Sequence, residues 1–129
     1  MKLTGLTPNL ITHDVPRSTA FYRDVLGFRV VQTVPEEAPF VFVWLERDGV
    51  TVFVNDAKTV MAELPDARDF VVGQAGVSLF IMVEGVDELW EAVKPRARVV
   101  MPIKDQWYGM REFAVTDPDG YVVTFAERR

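Results

Sequence analysis

The 129-residue sequence predicts an α+β fold made of two copies of a β-α-β-β-β module. The first observation is a repeat. At a constant offset of 71 residues, Val15 falls on Val86, and Asp48-Gly49 falls on Asp119-Gly120. The second observation is that each copy carries one helical hydrophobic pattern and a set of strand patterns around it. Two such modules can place their helices outside and curve their mixed sheets around a cavity.

Module one, residues 1–56, is expected to open with a strand at 3–12 and a helix directly after it. Asp14 is the expected N-cap of that helix, and Pro16 lies in the first turn, where its missing N–H costs little. Gly27 follows the last apolar residue of the helical stripe and predicts where the helix ends.

The rest of module one reads as three strands, expected at 28–34, 40–46 and 50–55. Asp48-Gly49 predicts a two-residue hairpin turn between the last two strands, because this dipeptide readily adopts the required positive φ angles. Such a turn places Trp44 opposite Phe53 and Phe42 opposite Asn55.

Module two, residues 77–129, repeats the order after a connector at 57–76, in which we expect a helical turn at 59–64 and loop around Pro65 and Gly73. The expected elements are strands at 77–83 and 97–101, a helix at 86–93, and a hairpin of 110–116 with 121–127. A two-residue turn at Asp119-Gly120 would place Val115 opposite Thr124. Residues 1–129 are then a single domain.

Composition narrows the class of protein. The net charge of −5 disfavours nucleic acid as a partner, since nucleic-acid binders normally cluster Lys and Arg. No apolar run approaches the ~20 residues that span a bilayer, so no membrane partner is expected. The absence of cysteine excludes disulfides and thiolate sites, and it fits a cytoplasmic location.

Two phrases carry a resemblance to a known family: "DVPRSTAFYRDVLGF" at 14–28 and "REFAVTDPDGYVVTF" at 111–125. They resemble the glyoxalase/bleomycin-resistance/dioxygenase superfamily, whose fold is called vicinal oxygen chelate. The resemblance covers essentially the whole chain, and "WYGMREFAVTDPDG" at 107–120 is similar to bleomycin-resistance-type members. It implies the duplicated fold and a homodimer with two cavities.

The same resemblance implies four positions for metal ligands, which metal-using members fill with His, Glu or Gln. Carried over by motif and repeat, these positions are Thr7, Phe53, Ser78 and Thr124. Neutral hydroxyls are poor ligands for a divalent cation, and a phenyl ring is none. The single histidine, His13, lies at a strand-to-helix corner. If the first strand were shifted by two residues, Asn9 would take the first ligand position in place of Thr7, and this does not rescue the metal site. We therefore expect no metal and no cofactor.

The predicted concave face is aromatic with scattered polar groups, which suits a flat or amphipathic organic ligand. Its expected ligand-binding residues are Phe42, Trp44, Phe53, Ser78, Phe80, Arg111, Phe113 and Thr124. Glu46 would lie toward one end of this face, and Trp107 and Tyr108 in a loop at the cavity mouth. The aromatic residues could instead fill the cavity or pack in a dimer interface.

These residues favour a metal-independent small-molecule-binding protein. The alternative is a lyase, isomerase or dioxygenase-like enzyme, with displaced metal ligands or with metal-free acid/base catalysis by Glu46, Glu112 or Arg111. Adjacent strand residues face opposite sides, so Arg111 and Glu112 more simply predict a surface or interface salt bridge. A third interpretation is a module that binds a partner and whose cavity is filled.

Overall fold

The computed structural model describes residues 1–63, 72–73 and 77–129, which form two compact units, Met1–Val72 and Gly73–Arg129. The first unit contains β1 (Asn9–Thr12), α1 (Val15–Ala20), β2 (Arg29–Val34), β3 (Phe42–Arg47), β4 (Val50–Asp56) and α2 (Ala57–Glu63). The second unit contains β5 (Leu79–Met82), α3 (Val86–Val93), β6 (Arg98–Asp105), β7 (Met110–Thr116) and β8 (Val122–Arg128). No helix within these ranges has the length and hydropathy to cross a membrane.

Each unit contains one four-stranded mixed sheet, and the two sheets have the same topology. Their strand orders are β1-β4-β3-β2 and β5-β8-β7-β6, with a parallel pair at one edge of each. Asn9 lies beside Phe53 in the first parallel pair, and Phe80 lies beside Thr124 in the second. Phe80 and Thr124 come 71 residues after Asn9 and Phe53, which is the repeat offset. The α+β class and the duplicated module are therefore confirmed.

The first helix begins where the sequence predicts and ends differently. The Asp14 carboxylate accepts a hydrogen bond from the backbone N–H of Arg17 at 3.0 Å, which satisfies a donor that the helix leaves unpaired. A π-helical turn at Phe21–Val25, which was not predicted, follows α1. The chain then leaves the helix through Gly27, whose φ of +73° favours glycine.

The core of each unit lies between its helix and the helix-side face of its sheet. In the first unit the fully buried side chains include Tyr22, Leu26, Val43, Leu45, Val52 and Val54. In the second unit Trp90 of α3 packs against Phe113 with ring centroids 5.2 Å apart, and Phe113 packs against Phe125 at 5.3 Å. One face of each sheet is therefore covered by a helix, and the other face points away from that helix.

Two sequence expectations change at the edges of elements. β1 begins at Asn9 rather than Leu3, and Pro8 reaches β4 through its carbonyl, which accepts from the N–H of Phe53 at 2.9 Å. The expected turn at 59–64 is part of α2. The Asp56 carboxylate precedes this helix and accepts hydrogen bonds from the backbone N–H and the hydroxyl of Thr59. Residue 64 and the expected loop at Pro65 lie outside the described residues. The assignment of 1–129 to a single domain stays a prediction.

Candidate functional site

The first open face is the face of the first sheet that points away from α1. Asp48 and Gly49 have φ angles of 50° and 81°, as a two-residue hairpin turn requires. Trp44 pairs with Phe53 across this hairpin, and Phe42 pairs with Asn55, so the predicted register is confirmed. Val43 and Leu45 alternate with these residues and lie buried on the helix side.

Three aromatic rings form a cluster at the centre of the first open face. The Phe53 ring lies 5.0 Å from the Phe42 ring and 5.8 Å from the Trp44 ring, both in edge-to-face geometry. All three side chains are partly exposed. The indole Nε1 of Trp44 is buried and has no hydrogen-bond partner among residues 1–63, 72–73 and 77–129. The cluster therefore combines apolar area with one unused donor.

Polar pairs border this cluster. The Asn55 amide donates a hydrogen bond to Asn9 Oδ1. At the other end, Arg29 Nη2 lies 2.6 Å from Glu46 Oε2, and Glu46 Oε1 accepts from the N–H of Gly49 at 3.0 Å. The hydrogen bond from the Gly49 N–H lowers the pKa of Glu46, and the hydrogen bond from Arg29 lowers it further. Glu46 is thus an ion-paired carboxylate that holds the turn and the strand end together.

The second hairpin does not have the predicted register. Ala114, and not Val115, pairs with Thr124, and the loop has three residues, 118–120. The N–H of Asp117 donates to the carbonyl of Tyr121 at 2.9 Å and closes the hairpin, and Gly120 has a φ of +91°. In a two-residue loop the closing donor would be Pro118, which has no N–H. The extra loop residue avoids this loss.

This one-residue difference moves two expected ligand-binding residues off the open face, because neighbouring residues of a strand face opposite sides. Phe113 is 0% exposed and packs beneath Trp90, so its predicted place on the concave face is wrong. Arg111 also lies on the helix side. It pairs with Asp87 at 2.9 Å and Asp105 at 3.3 Å, and its place on that face is likewise wrong.

The second open face is the face of the second sheet that points away from α3. It carries Phe80, Met82, Met101, Glu112, Ala114, Thr124 and Ala126. Phe80 is 53% exposed and Met82 is 49% exposed, so the β5 edge of this face presents apolar area, while Ala114 and Ala126 on the neighbouring strands are buried. Ser78 precedes β5 and is exposed, so it is not a residue of this sheet.

A loop between β6 and β7 borders the second open face. It is closed by hydrogen bonds from the N–H of Gln106 to the carbonyl of Met110 (2.7 Å) and from Gly109 to Gln106 (3.2 Å). Trp107 is 93% exposed, and its ring lies 5.3 Å from the ring of Tyr108. The predicted position of this aromatic pair in a loop is therefore confirmed.

Glu112 has a different environment from the surface salt bridge that the sequence favoured. It is 4% exposed, and its Oε1 accepts hydrogen bonds from the Tyr108 hydroxyl and from Gln106 Nε2 at 3.1 Å. The hydrogen bond to Glu112 raises the pKa of Tyr108, since the neutral phenol is the donor. The sequence favoured a surface or interface salt bridge with Arg111 for this residue and named acid/base catalysis as the alternative, and it gave no signal for the contacts to Tyr108 and Gln106.

The positions expected for metal ligands do not supply a metal site. Thr7 and Ser78 precede their strands, and the parallel registers instead put Asn9 beside Phe53 and Phe80 beside Thr124. One amide, one hydroxyl and two phenyl rings do not fit a divalent metal, which needs imidazole, carboxylate or thiolate groups. The described parts of the chain also contain no cluster of three or more His, Cys, Asp or Glu side chains that could hold a metal ion.

A cavity of about 440 Å³ lies at the ends of β5 and β8. Its lining residues are Met82, Val83, Glu84, Glu127 and Arg128. The Glu127 carboxylate accepts hydrogen bonds from the N–H groups of Gly85 (3.2 Å) and Val86 (3.0 Å), and these bonds lower its pKa. Glu127 therefore serves the start of α3, and the cavity adjoins the second open face at Met82.

Residues 6–125 match the family model described as Glyoxalase/Bleomycin resistance protein/Dioxygenase superfamily. The chain is 34% identical to a bleomycin resistance protein of Geobacillus stearothermophilus over 131 aligned positions, which cover 94% of each chain. A solved structure from Agrobacterium tumefaciens, a protein of unknown function, has a TM-score of 0.83 at 22% identity, covering 100% of this chain and 97% of its own.

A second solved structure with the same fold is the bleomycin-binding protein of Streptomyces verticillus in complex with copper(II)-bleomycin. It has a TM-score of 0.67 at 24% identity, and the alignment covers 100% of this chain and 99% of that one. The family model and the curated relative extend over nearly the whole sequence and agree with the resemblance found in the two sequence phrases. The chain belongs to the glyoxalase/bleomycin resistance protein/dioxygenase superfamily.

Proposed function

We propose that this chain is a metal-independent binding protein of the bleomycin-resistance type that holds an aromatic or amphipathic compound in a cavity of a homodimer. The observation that carries the proposal is the partly exposed cluster of Phe42, Trp44 and Phe53 on the first open face. The similarity to a bleomycin resistance protein supports binding as the activity.

The aromatic cluster supplies the interaction that such a ligand needs. Its rings lie edge to face, so a flat ligand can stack on a ring face or meet a ring edge. A ligand on this face would remove apolar area from water. Binding sites of this kind are largely apolar with few polar groups.

Sequestration needs no metal and no catalytic group. The expected metal-ligand positions carry Thr7, Phe53, Ser78 and Thr124, which lack the required donors. Asn9 and Phe80, which lie beside Phe53 and Thr124 in the sheets, do not supply them either. The proposed enzymatic groups Glu46 and Arg111 are both held in ion pairs. These contacts favour binding over acid/base chemistry at those two residues.

Calorimetric titration tests the proposal, with metal-free bleomycin, copper(II)-bleomycin and a panel of planar aromatic compounds as probes. We expect a probe that binds the wild type to lose about tenfold or more in affinity for Trp44→Leu, because a ring of the cluster is removed. Trp90→Phe is the matched control, since Trp90 packs on the helix side against Phe113. It should bind as the wild type does.

Four results would contradict parts of the proposal. Absence of binding across bleomycin and the whole panel rejects the binding function, and equal losses in both tryptophan variants reject the first open face as the site. Stoichiometric zinc, nickel, iron or manganese in purified protein rejects metal independence. A monomer in sedimentation at ligand-saturating concentrations rejects the homodimer.

A further inference from the structure

Glu112 is a buried carboxylate that the proposed function has not used. It lies on the second open face because the three-residue loop of the second hairpin shifts β7 by one residue. Its neighbours on this face are Ala126, which is its partner on β8, and Ala114, two residues along β7. Neither alanine can donate a side-chain hydrogen bond to the carboxylate.

The two oxygens of this carboxylate have different environments. Oε1 accepts from both the Tyr108 hydroxyl and Gln106 Nε2, which hold the group in place. Oε2 is buried and has no hydrogen-bond partner in residues 1–63, 72–73 and 77–129. Lys104 faces Glu112 across β6 and β7, but it is exposed, and the described residues contain no ion pair to Glu112 within 4.0 Å.

A buried carboxylate oxygen without a donor is unfavourable, because it has lost its water and gained no partner in return. The loop hydrogen bonds hold the carboxylate in place through Oε1, so a hydrogen-bond donor brought by a ligand would satisfy Oε2. Phe80 and Met82 expose apolar area on the same face, where the rest of a ligand could lie.

We propose that Glu112 is the anchor for a nitrogen hydrogen-bond donor of the ligand, preferably a protonated one such as an amidine or amine on an aromatic body. This inference rests on the proposed binding function and names the ligand chemistry that the second open face selects. Tyr108 and Gln106 are positioning residues, since they hold Oε1 and leave Oε2 for the ligand. The chain's net charge of −5 also favours a cationic ligand.

The test uses three matched probes on one ring system: naphthamidine, methyl naphthoate and the naphthoate anion. In calorimetric titrations we expect the wild type to bind the amidine about tenfold or more tightly than the ester, because hydrogen bonds to charged groups are strong. The anion should bind more weakly than the ester. This comparison needs no variant, so it remains decisive if a substitution impairs folding.

Glu112→Gln then isolates the anchor. Tyr108 and Gln106 both donate to the same atom, so the new amide must place its oxygen there and its NH₂ where Oε2 was. That change replaces an acceptor with a donor while the loop contacts persist. We expect the amidine preference to disappear, because the amidine loses its acceptor while the ester carbonyl can accept from the new NH₂. Thermal melting is used to verify folding.

Glu88→Gln is the matched control, since Glu88 is exposed on α3 and the charge change is the same. It should retain the amidine preference. If Glu88→Gln lost as much of the amidine preference as Glu112→Gln, the preference would come from long-range charge, and the role of Glu112 as anchor would be overturned. An amidine preference that survives Glu112→Gln, or no preference in the wild type, would also overturn the anchor, while ester binding still supports the proposed function. Failure of all three probes to bind overturns the anchor, and the titrations with bleomycin and the aromatic panel then decide the proposed function separately.

Discussion

The hairpin of β3 and β4 and the hairpin of β7 and β8 are repeat copies that present different chemistry on their open faces. The first has a two-residue loop and exposes a cluster of three aromatic rings. The second has a three-residue loop and presents a glutamate, alanines and a threonine beside Phe80 and Met82. Phe42 and Phe113 are counterparts at the repeat offset, yet Phe42 is partly exposed and Phe113 is buried.

The comparison shows that loop length can change a binding face without any change in topology. Because side chains alternate along a strand, one extra loop residue exchanges the two faces of β7. Duplication therefore preserved the fold, while a single-residue difference gave the two sheets distinct surfaces. Changes to the two loops, and to the residues whose face each loop determines, test this difference.

Deletion of Asp119 should cause the largest loss of stability. A two-residue loop would either break the closing hydrogen bonds or shift β7, which would expose Phe113 and bury Glu112 under α3. We expect a loss of more than about 3 kcal/mol in the free energy of unfolding, measured by chemical denaturation. The control inserts a glycine after Gly49. This turn has open space around it, since a Cβ placed at Gly49 would have no other atom within 4 Å. A longer loop there should cost under about 1 kcal/mol, and equal losses would contradict the loop-length account.

Phe113→Ala and Phe42→Ala test the exchange of faces at the two counterpart positions. Phe113 is fully buried between Trp90 and Phe125, so its truncation should cost about 3–5 kcal/mol. Phe42 is partly exposed, and its truncation should cost about 1 kcal/mol. Guanidinium denaturation measures both values. Comparable losses would place Phe113 and Phe42 in equivalent environments and reject the assigned register.

Gly49→Ala tests the tight turn of the first hairpin. Gly49 has a φ of +81° with open space around it, so the cost comes from backbone conformation and not from a clash. We expect a loss of about 1–2 kcal/mol in thermal or chemical unfolding. Gly5→Ala, also without neighbours and without a positive φ, should leave stability unchanged. A neutral Gly49→Ala would contradict the two-residue turn.

The smallest effect concerns the ionisation of Tyr108. Its pKa is raised above the ordinary value of 10.0 because its hydroxyl donates to the Glu112 carboxylate. A raised pKa means that the folded state holds this proton more tightly. The associated stability is present below about pH 10 and is lost as the pH rises through the higher pKa. Glu112→Gln should lower this pKa.

Near-ultraviolet absorbance during alkaline titration follows the change, and Tyr108→Phe identifies which step belongs to Tyr108. The step should move to lower pH in Glu112→Gln and vanish in Tyr108→Phe. A step that does not move would show that Glu112 does not hold the hydroxyl, and it would weaken the assignment of Tyr108 as a positioning residue.

Much of the first open face could be predicted from local signals. Asp48-Gly49 specifies a two-residue turn, and the turn then determines that Trp44 faces Phe53. The second hairpin carried an equally local signal that was missed. Pro118 cannot donate the closing hydrogen bond of a two-residue loop, and Asp-Pro-Asp-Gly instead suits a type I turn followed by glycine. The resulting error exchanged Phe113 and Glu112.

Other features depended on contacts between distant segments. The burial of Glu112 requires Tyr108 and Gln106 to fold back from the β6–β7 loop. The pairing of Arg111 with Asp87 requires α3 to lie beside β7. The parallel registers determine which residues lie beside Phe53 and Thr124. A parallel register is not specified by any hairpin turn, because parallel strands are joined by long connections.

The duplicated module, the starts of α1 and α3, the first hairpin and the superfamily could be predicted from the amino-acid sequence, because repeats, caps and turns are encoded over short stretches of chain. The folded chain was needed to establish which face of β7 is open, which carboxylate is left with an unpaired oxygen, and which residues lie beside Phe53 and Thr124. Those outcomes depend on strand register and on contacts between elements far apart in the chain, where one residue of slip exchanges the two faces of a strand.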